Sequence, residues 1–144
     1  ILSILLTIIC FAFTGCGANE INIEELNSKL LSEGSFSEEL FSISADVAMK
    51  RYGIEDGEVE ECISSAGTAA VVDEVTIFKT TNTDVVKEKA QKHIDSQKNS
   101  YSSYRPDEVP KLNDCIIEVS GDYVIVCVSE DSTSAKAIID EYTK

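Results

Sequence analysis

Residues 115–128 read CIIEVSGDYVIVCV, two runs rich in β-branched residues on either side of Gly121-Asp122. A glycine–aspartate pair between such runs is a hairpin turn signal, and it sets Ser120 opposite Tyr123. In that register Cys115, Ile117, Val119, Val124, Val126 and Val128 share one apolar face. Ile116, Glu118, Ser120, Tyr123, Ile125 and Cys127 share the other, which is mixed. A slip of one residue would scramble both faces, so the hairpin is well specified. Everything else in the chain has to pack around it.

Upstream, extended segments are expected near Val59–Ser64 and Ala70–Lys79, separated by Ser65-Ala66-Gly67. Between the two strand pairs, Asn82-Thr83-Asp84 opens a long helix. Its apolar positions Val86, Ala90, Ile94, Tyr101 and Tyr104 recur every three or four residues, and Pro106 ends it. Asn22 caps an earlier helix carrying Ile23, Leu26 and Leu30 up to Gly34. Ser44 starts another, which closes at Gly53. A terminal helix runs from Ser134 to Tyr142. The order α-α-β-β-α-β-β-α predicts an α+β fold with a four-stranded antiparallel or mixed sheet and helices mainly on one face.

The chain has 144 residues, enough for one domain, and a net charge of −14 from 26 acidic and 12 basic side chains. So negative a surface repels phosphate backbones, which argues against nucleic acid as a partner. It also repels anionic headgroups, so membrane contact should come from an anchor and not from a basic face.

Such an anchor is suggested at the amino terminus. Residues 1–13, ILSILLTIICFAF, carry no charge, with only Ser3 and Thr7 as polar interruptions. The run is shorter than a ~30 Å hydrocarbon core requires but suits the apolar part of a signal peptide, although an uncleaved membrane helix is the competing reading. Phe13-Thr14-Gly15-Cys16 resembles the bacterial lipobox, in which cleavage precedes a cysteine bearing a diacylglycerol, with Phe13 in place of the usual Leu or Val. Two acyl chains make a stable tether. The expected organisation is a signal peptide over 1–15, lacking its own first residues, a stalk over 16–22 anchored at Cys16, and one α+β domain over 23–144. The expected location is the outer face of the cytoplasmic membrane.

The stretch Tyr101-Ser102-Ser103-Tyr104-Arg105-Pro106-Asp107-Glu108 resembles the Y-x-x-Y-x-P-x-E segment of a family of small Gram-positive lipoproteins, domain of unknown function 4358. Asp73-Glu74-Val75 running into Ile77-Phe78-Lys79, the long helix before the tyrosines, and Gly121-Asp122-Tyr123-Val124 leading to Ser129-Glu130-Asp131 are similar to it too. The likeness spans Phe36 to Ile139. It implies an exported lipoprotein and carries over no catalytic residue.

No residue pattern implies a metal or a cofactor. Once Cys10 leaves with the signal peptide and Cys16 is acylated, Cys62, Cys115 and Cys127 remain, without the C-x-x-C spacing of redox or zinc sites. The hairpin register sends Cys115 and Cys127 to opposite faces, while a Cys62–Cys127 pair stays open. His93, the sole histidine, falls near the edge of the long helix's apolar stripe and reads as a boundary residue. Glu55, Asp56, Glu58, Glu60 and Glu61 lack the alternation of a calcium loop. Tyr101, Tyr104 and Arg105 form the candidate binding patch, since tyrosine and arginine are favoured anchors, although a helix-ending aromatic pair is more often packing. The functional expectation is a lipid-anchored binding or accessory module of the cell envelope, with a possible protein partner there. The alternative is a carboxylate-dependent enzyme acting on envelope polymers, which would require a deep pocket with convergent acids.

Overall fold

A computed structural model describes residues 20–144. The expected signal peptide, the Cys16 anchor and most of the stalk lie outside the described residues. Five strands form one antiparallel sheet in the order β1-β2-β3-β5-β4, where β1 is Phe41–Ile43, β2 Glu61–Ala66, β3 Glu74–Lys79, β4 Ile116–Ser120 and β5 Tyr123–Val128. Five α-helices accompany them: α1 Ile23–Glu33, α2 Ala45–Tyr52, α3 Thr83–Tyr104, α4 Val109–Asn113 and α5 Ser132–Thr143. None among the described residues is long and apolar enough to cross a membrane.

The hairpin forms in the expected register, Ser120 opposite Tyr123, with Gly121 taking the positive φ of 54° that its turn demands. The helix signals hold as well. Asn22 accepts from the Glu25 amide, Asn82 from the Val85 amide, and Gly53 closes α2 in the left-handed region at φ 64°.

The α+β class stands, but the sheet has a fifth strand and the order is α-β-α-β-β-α-α-β-β-α. The added strand β1 is a three-residue edge element, too short for alternation to reveal. Short α4, entered through a 3-10 turn at Pro106–Glu108, was hidden behind a proline that ends α3 and begins the turn. Strand β2 sits two residues later than expected, and β3 begins only at Glu74, leaving 67–73 as a loop.

Helices cover both faces, not mainly one. Phe78, Val124, Val126 and Val128 face α2, α3 and α4 through Tyr52, Val86, Ala90, Ile94, Tyr101 and Leu112. On the opposite face Val75, Ile77, Tyr123, Ile125 and Cys127 meet α1 and α5 through Leu26, Leu30, Ala135, Ile138 and Ile139. The hairpin's mixed face is therefore a second core surface. Glu118 alone among its central positions is strongly polar, and it sits on edge strand β4, where Lys136 and Thr143 of α5 satisfy it. With β3 in the middle and both faces covered, even its polar residues Glu74 and Thr76 are buried.

The open cysteine question resolves on the same geometry. Cys62 faces the α3 side from β2, Cys127 faces the α5 side from β5, and β3 lies between the strands. Among the described residues Cys62, Cys115 and Cys127 are free thiols.

A two-faced core makes a specific demand on α5. Ile139→Ala, at a fully buried position, should lower stability by about 2–5 kcal/mol. Val119→Thr, at an exposed position on β4, should change it by less than about 0.5 kcal/mol. Chemical denaturation of the two variants makes the comparison; similar losses would contradict a sheet covered on both sides.

Candidate functional site

The face of the sheet under α2 and α3 carries most of the buried polar chemistry. Glu74, at the start of β3, is 1% exposed. Its carboxylate accepts from the Tyr52 hydroxyl at 2.8 Å, Arg51 Nη2 at 3.1 Å and His93 Nε2 at 2.9 Å. The His93 ring stacks on Tyr52 with centroids 4.1 Å apart, and Tyr52 meets Phe78 edge-on. Burial alone would raise the Glu74 pKa. The hydrogen bond and charge interaction with His93, the Arg51 guanidinium and the Tyr52 hydroxyl together outweigh it and hold the carboxyl below its usual range. Burial, with the adjacent Glu74 charge, pushes the Tyr52 hydroxyl well up, so it stays a donor. The sole histidine, expected at the edge of the long helix's apolar stripe, is thus a buried partner of a buried acid. Neither residue has a local signature, because they meet across 19 positions of sequence.

The Tyr-x-x-Tyr-Arg-Pro-x-Glu segment has one common target. Tyr101 directs its hydroxyl at the carbonyls of Ala69 and Val71, each 2.9 Å away, and Tyr104 donates to Ala69 as well. Arg105 Nη1 donates to the Ala70 carbonyl at 2.8 Å. Glu108, placed by the turn that Pro106 starts, accepts from the Val72 amide at 3.0 Å. All four side chains therefore grip the backbone of residues 69–72, a loop whose polar groups would otherwise lack regular partners. Tyr101 is buried, Tyr104 is 55% exposed, and their rings lie 4.8 Å apart. Arg105 is half-buried and also pairs with Asp107.

Below the loop, Lys111 of α4 sits between Glu108 at 3.0 Å and Asp73 at 3.3 Å. Desolvation would lower its pKa, but those two carboxylates more than reverse this and raise it. Asp73 Oδ2 also accepts from the Ser37 amide, and Oδ1 has no partner among the described residues.

These networks border a cleft of about 480 Å³ between the 67–73 loop, β1 and α3. Ile43, Arg51, His93, Ser96, Gln97 and Tyr101 line it, with the backbone of the loop as the far wall. Three acids beside it are already engaged: Glu74 by three donors, and Glu108 and the Oδ2 of Asp73 by Lys111 and backbone amides. The acidic run 55–61 forms a turn in which Glu58 accepts from the Glu55 amide and pairs with Lys89. Among the described residues no three His, Cys, Asp or Glu side chains converge as metal ligands would. Burial pushes the Cys62 thiol up to about 11 and Cys127 up to about 12, so neither offers a thiolate near neutrality.

Residues 32–129 match the model of the family described as domain of unknown function (DUF4358). The chain belongs to that family. No curated protein and no solved structure matches it. The matched stretch of the DUF4358 domain holds the whole sheet, α2, α3, the tyrosine clamp and the cleft, and it stops before α5.

Two outcomes follow from this geometry. Tyr101→Phe removes only the hydroxyl that serves two loop carbonyls and should cost about 1–3 kcal/mol, whereas exposed Tyr104→Phe should cost much less. Equal stabilities in thermal melts would contradict the clamp. For Glu74, the folded pKa lies below the unfolded value of about 4.3. Its ionised carboxylate therefore stabilises the fold fully above that value, and the contribution fades as pH falls through the depressed folded value. Glu74→Gln should melt well below wild type at about pH 7, with the gap narrowing towards about pH 3. A gap that stays constant across that range would show that Glu74 is not held as an anion.

Proposed function

We propose that this DUF4358 domain is the extracytoplasmic part of a lipoprotein, anchored through Cys16 to the outer face of the cytoplasmic membrane, and that it works there as a non-catalytic binding or accessory module. The observation that carries the reading is how the groups around the cleft are used. Hydrolysis by paired carboxylates needs one acid free to donate and another free to attack or activate water. Glu74 instead spends its oxygens on Tyr52, Arg51 and His93, and Glu108 and Asp73 share Lys111. A firmly held loop facing Ser96, Gln97 and one side of Arg51 is suited to recognition, because its shape and its donors are set before a ligand arrives.

The anchor and the cleft are tested separately. Metabolic labelling with a fatty-acid analogue should mark the protein in cells, and Cys16→Ser should abolish the mark. Persistent labelling of the serine variant would remove the anchor. For the cleft, Ser96→Trp places bulk at an exposed helix position on its wall, outside the clamp. Crosslinking in cells should lose its adducts in this variant while the melting temperature holds. Adducts unchanged by Ser96→Trp would exclude the cleft as the recognition surface.

A further inference from the structure

Arg51, His93 and Ser96 also line a second hollow, on the other side of the ridge they form, between the carboxyl end of α2 and the middle of α3. Its volume is about 410 Å³. Lys50, Arg51, Lys89 and Lys92 surround it, with Tyr52 and His93 at its base, and no acid is among the residues that line it. In a chain of net charge −14, such a gathering of cations runs against the composition. Part of that charge is already answered: Lys89 pairs with Glu58, Lys92 with Glu88 at 2.7 Å, and Arg51 with Glu74 beneath it. Lys50 has no ion-pair partner among the described residues, and Lys50 and Lys92 are both exposed. Of the carbonyls at the end of α2, which oppose an anion, those of Lys50 and Met49 are capped by the Gly53 and Ile54 amides at 3.2 and 2.9 Å.

We propose that this hollow binds a phosphate-bearing anion, as the free phosphate of a polyol phosphate or as a lipid headgroup. Ammonium groups on separate walls suit a tetrahedral anion with several oxygens better than a planar carboxylate, which prefers one bidentate fork. Arg51 bonds Glu74 through Nη2 and is otherwise part-exposed, so it can serve the base and the ligand together. Ser96 adds a hydroxyl where the hollow meets the neighbouring cleft. The acidic remainder of the domain repels anions at long range, so attraction is local to these cations and confined to this one hollow. The inference rests on the binding-module reading and names a ligand chemistry for it.

The test uses the full chain carrying Cys16→Ser, so that no lipid anchor contributes. Titration with glycerol phosphate, followed by backbone amide shifts, should give saturable changes around Lys50, Lys92 and Ser96. Rising salt should weaken the binding. Lys50→Glu with Lys92→Glu should weaken it at least about tenfold, at an unchanged melting temperature, because two attractive charges become repulsive. Flotation with vesicles separates the sources. Capture by phosphatidylglycerol vesicles but not phosphatidylcholine vesicles, lost in the double variant, assigns a lipid headgroup. Glycerol phosphate binding without selective capture assigns a soluble phosphate. Absent or non-saturable shifts, or affinity indifferent to the double variant, overturn the proposal. Crosslinks that still depend on Ser96 would in that case leave the binding module standing without its phosphate ligand.

Discussion

Glu74 enters the central strand with helices over it and strands on both sides, a position where an ionised carboxylate survives only if donors replace water. Leaving it unpaired there would cost several kcal/mol, a large share of a small domain's net stability. Arg51 and Tyr52 bring the end of α2 to the carboxylate, and His93 brings the middle of α3. The three donors consequently fix where two helices lie on the sheet. Stacking of His93 on Tyr52 leaves those helices little freedom to slide, because the ring that donates is also part of the contact. Both hollows on this face take their shared ridge from that arrangement, so the carboxylate that shapes the core also shapes the surface a ligand would meet.

The loop over 67–73 is held by a second set of polar contacts with a different logic. Its carbonyls at Ala69, Ala70 and Val71 leave the sheet's ladder and take tyrosine and arginine donors, and its Val72 amide goes to Glu108. Pro106 is the pivot of the set. By ending α3 it leaves Tyr101 and Tyr104 one turn apart on the last helical face, then turns the chain so that Glu108 points back at the same loop. The spacing of this segment is therefore the spacing of a clamp, with each residue type chosen by whether the loop presents a carbonyl or an amide. That account places Tyr101, Tyr104 and Arg105 first as a support for the cleft wall, with only the exposed parts of Tyr104 and Arg105 left to meet another molecule.

What could be read in advance follows the range of the interactions. The Gly121-Asp122 turn, the Asn22 and Asn82 caps and the Gly53 stop are decided within a few residues, and they stand where local chemistry puts them. Register in the hairpin was equally legible, since only one pairing separates Val124, Val126 and Val128 from Glu118. The two-sided core was harder. A face bearing Glu118, Ser120 and Tyr123 reads as half wet until one sees that β4 is an edge and that α5 supplies Lys136 and Thr143 to the glutamate. Strand β1 offered three residues and no period. The Glu74–His93 pair was least visible of all, because nothing near either residue says that the other exists, and a lone histidine beside an apolar stripe resembles many that end at a helix boundary.

The division of labour between the two faces bears on where recognition belongs. Under α1 and α5 the core is mainly apolar, closed by Leu26, Leu30, Ile138 and Ile139, with Asn27 as a buried polar exception and polar contacts such as Lys29 with Glu141 and Thr143 with Glu118 towards the rim. Ridges of leucine and isoleucine fill the middle of this face, and its hollows open at the margins, one of about 750 Å³ beside the start of α1 and one of about 480 Å³ beside α5. On the opposite face the buried acid, its donors and the clamped loop prevent such close filling, since polar groups must meet at fixed distances and angles and cannot simply interdigitate. On that face the hollows therefore lie directly beside the buried donors, and not only at the margins. The physical reason for the clefts beside Arg51 and His93 is thus the same burial of Glu74 that holds the helices, and a change that relieved the core of its carboxylate would be expected to flatten the surface above it as well.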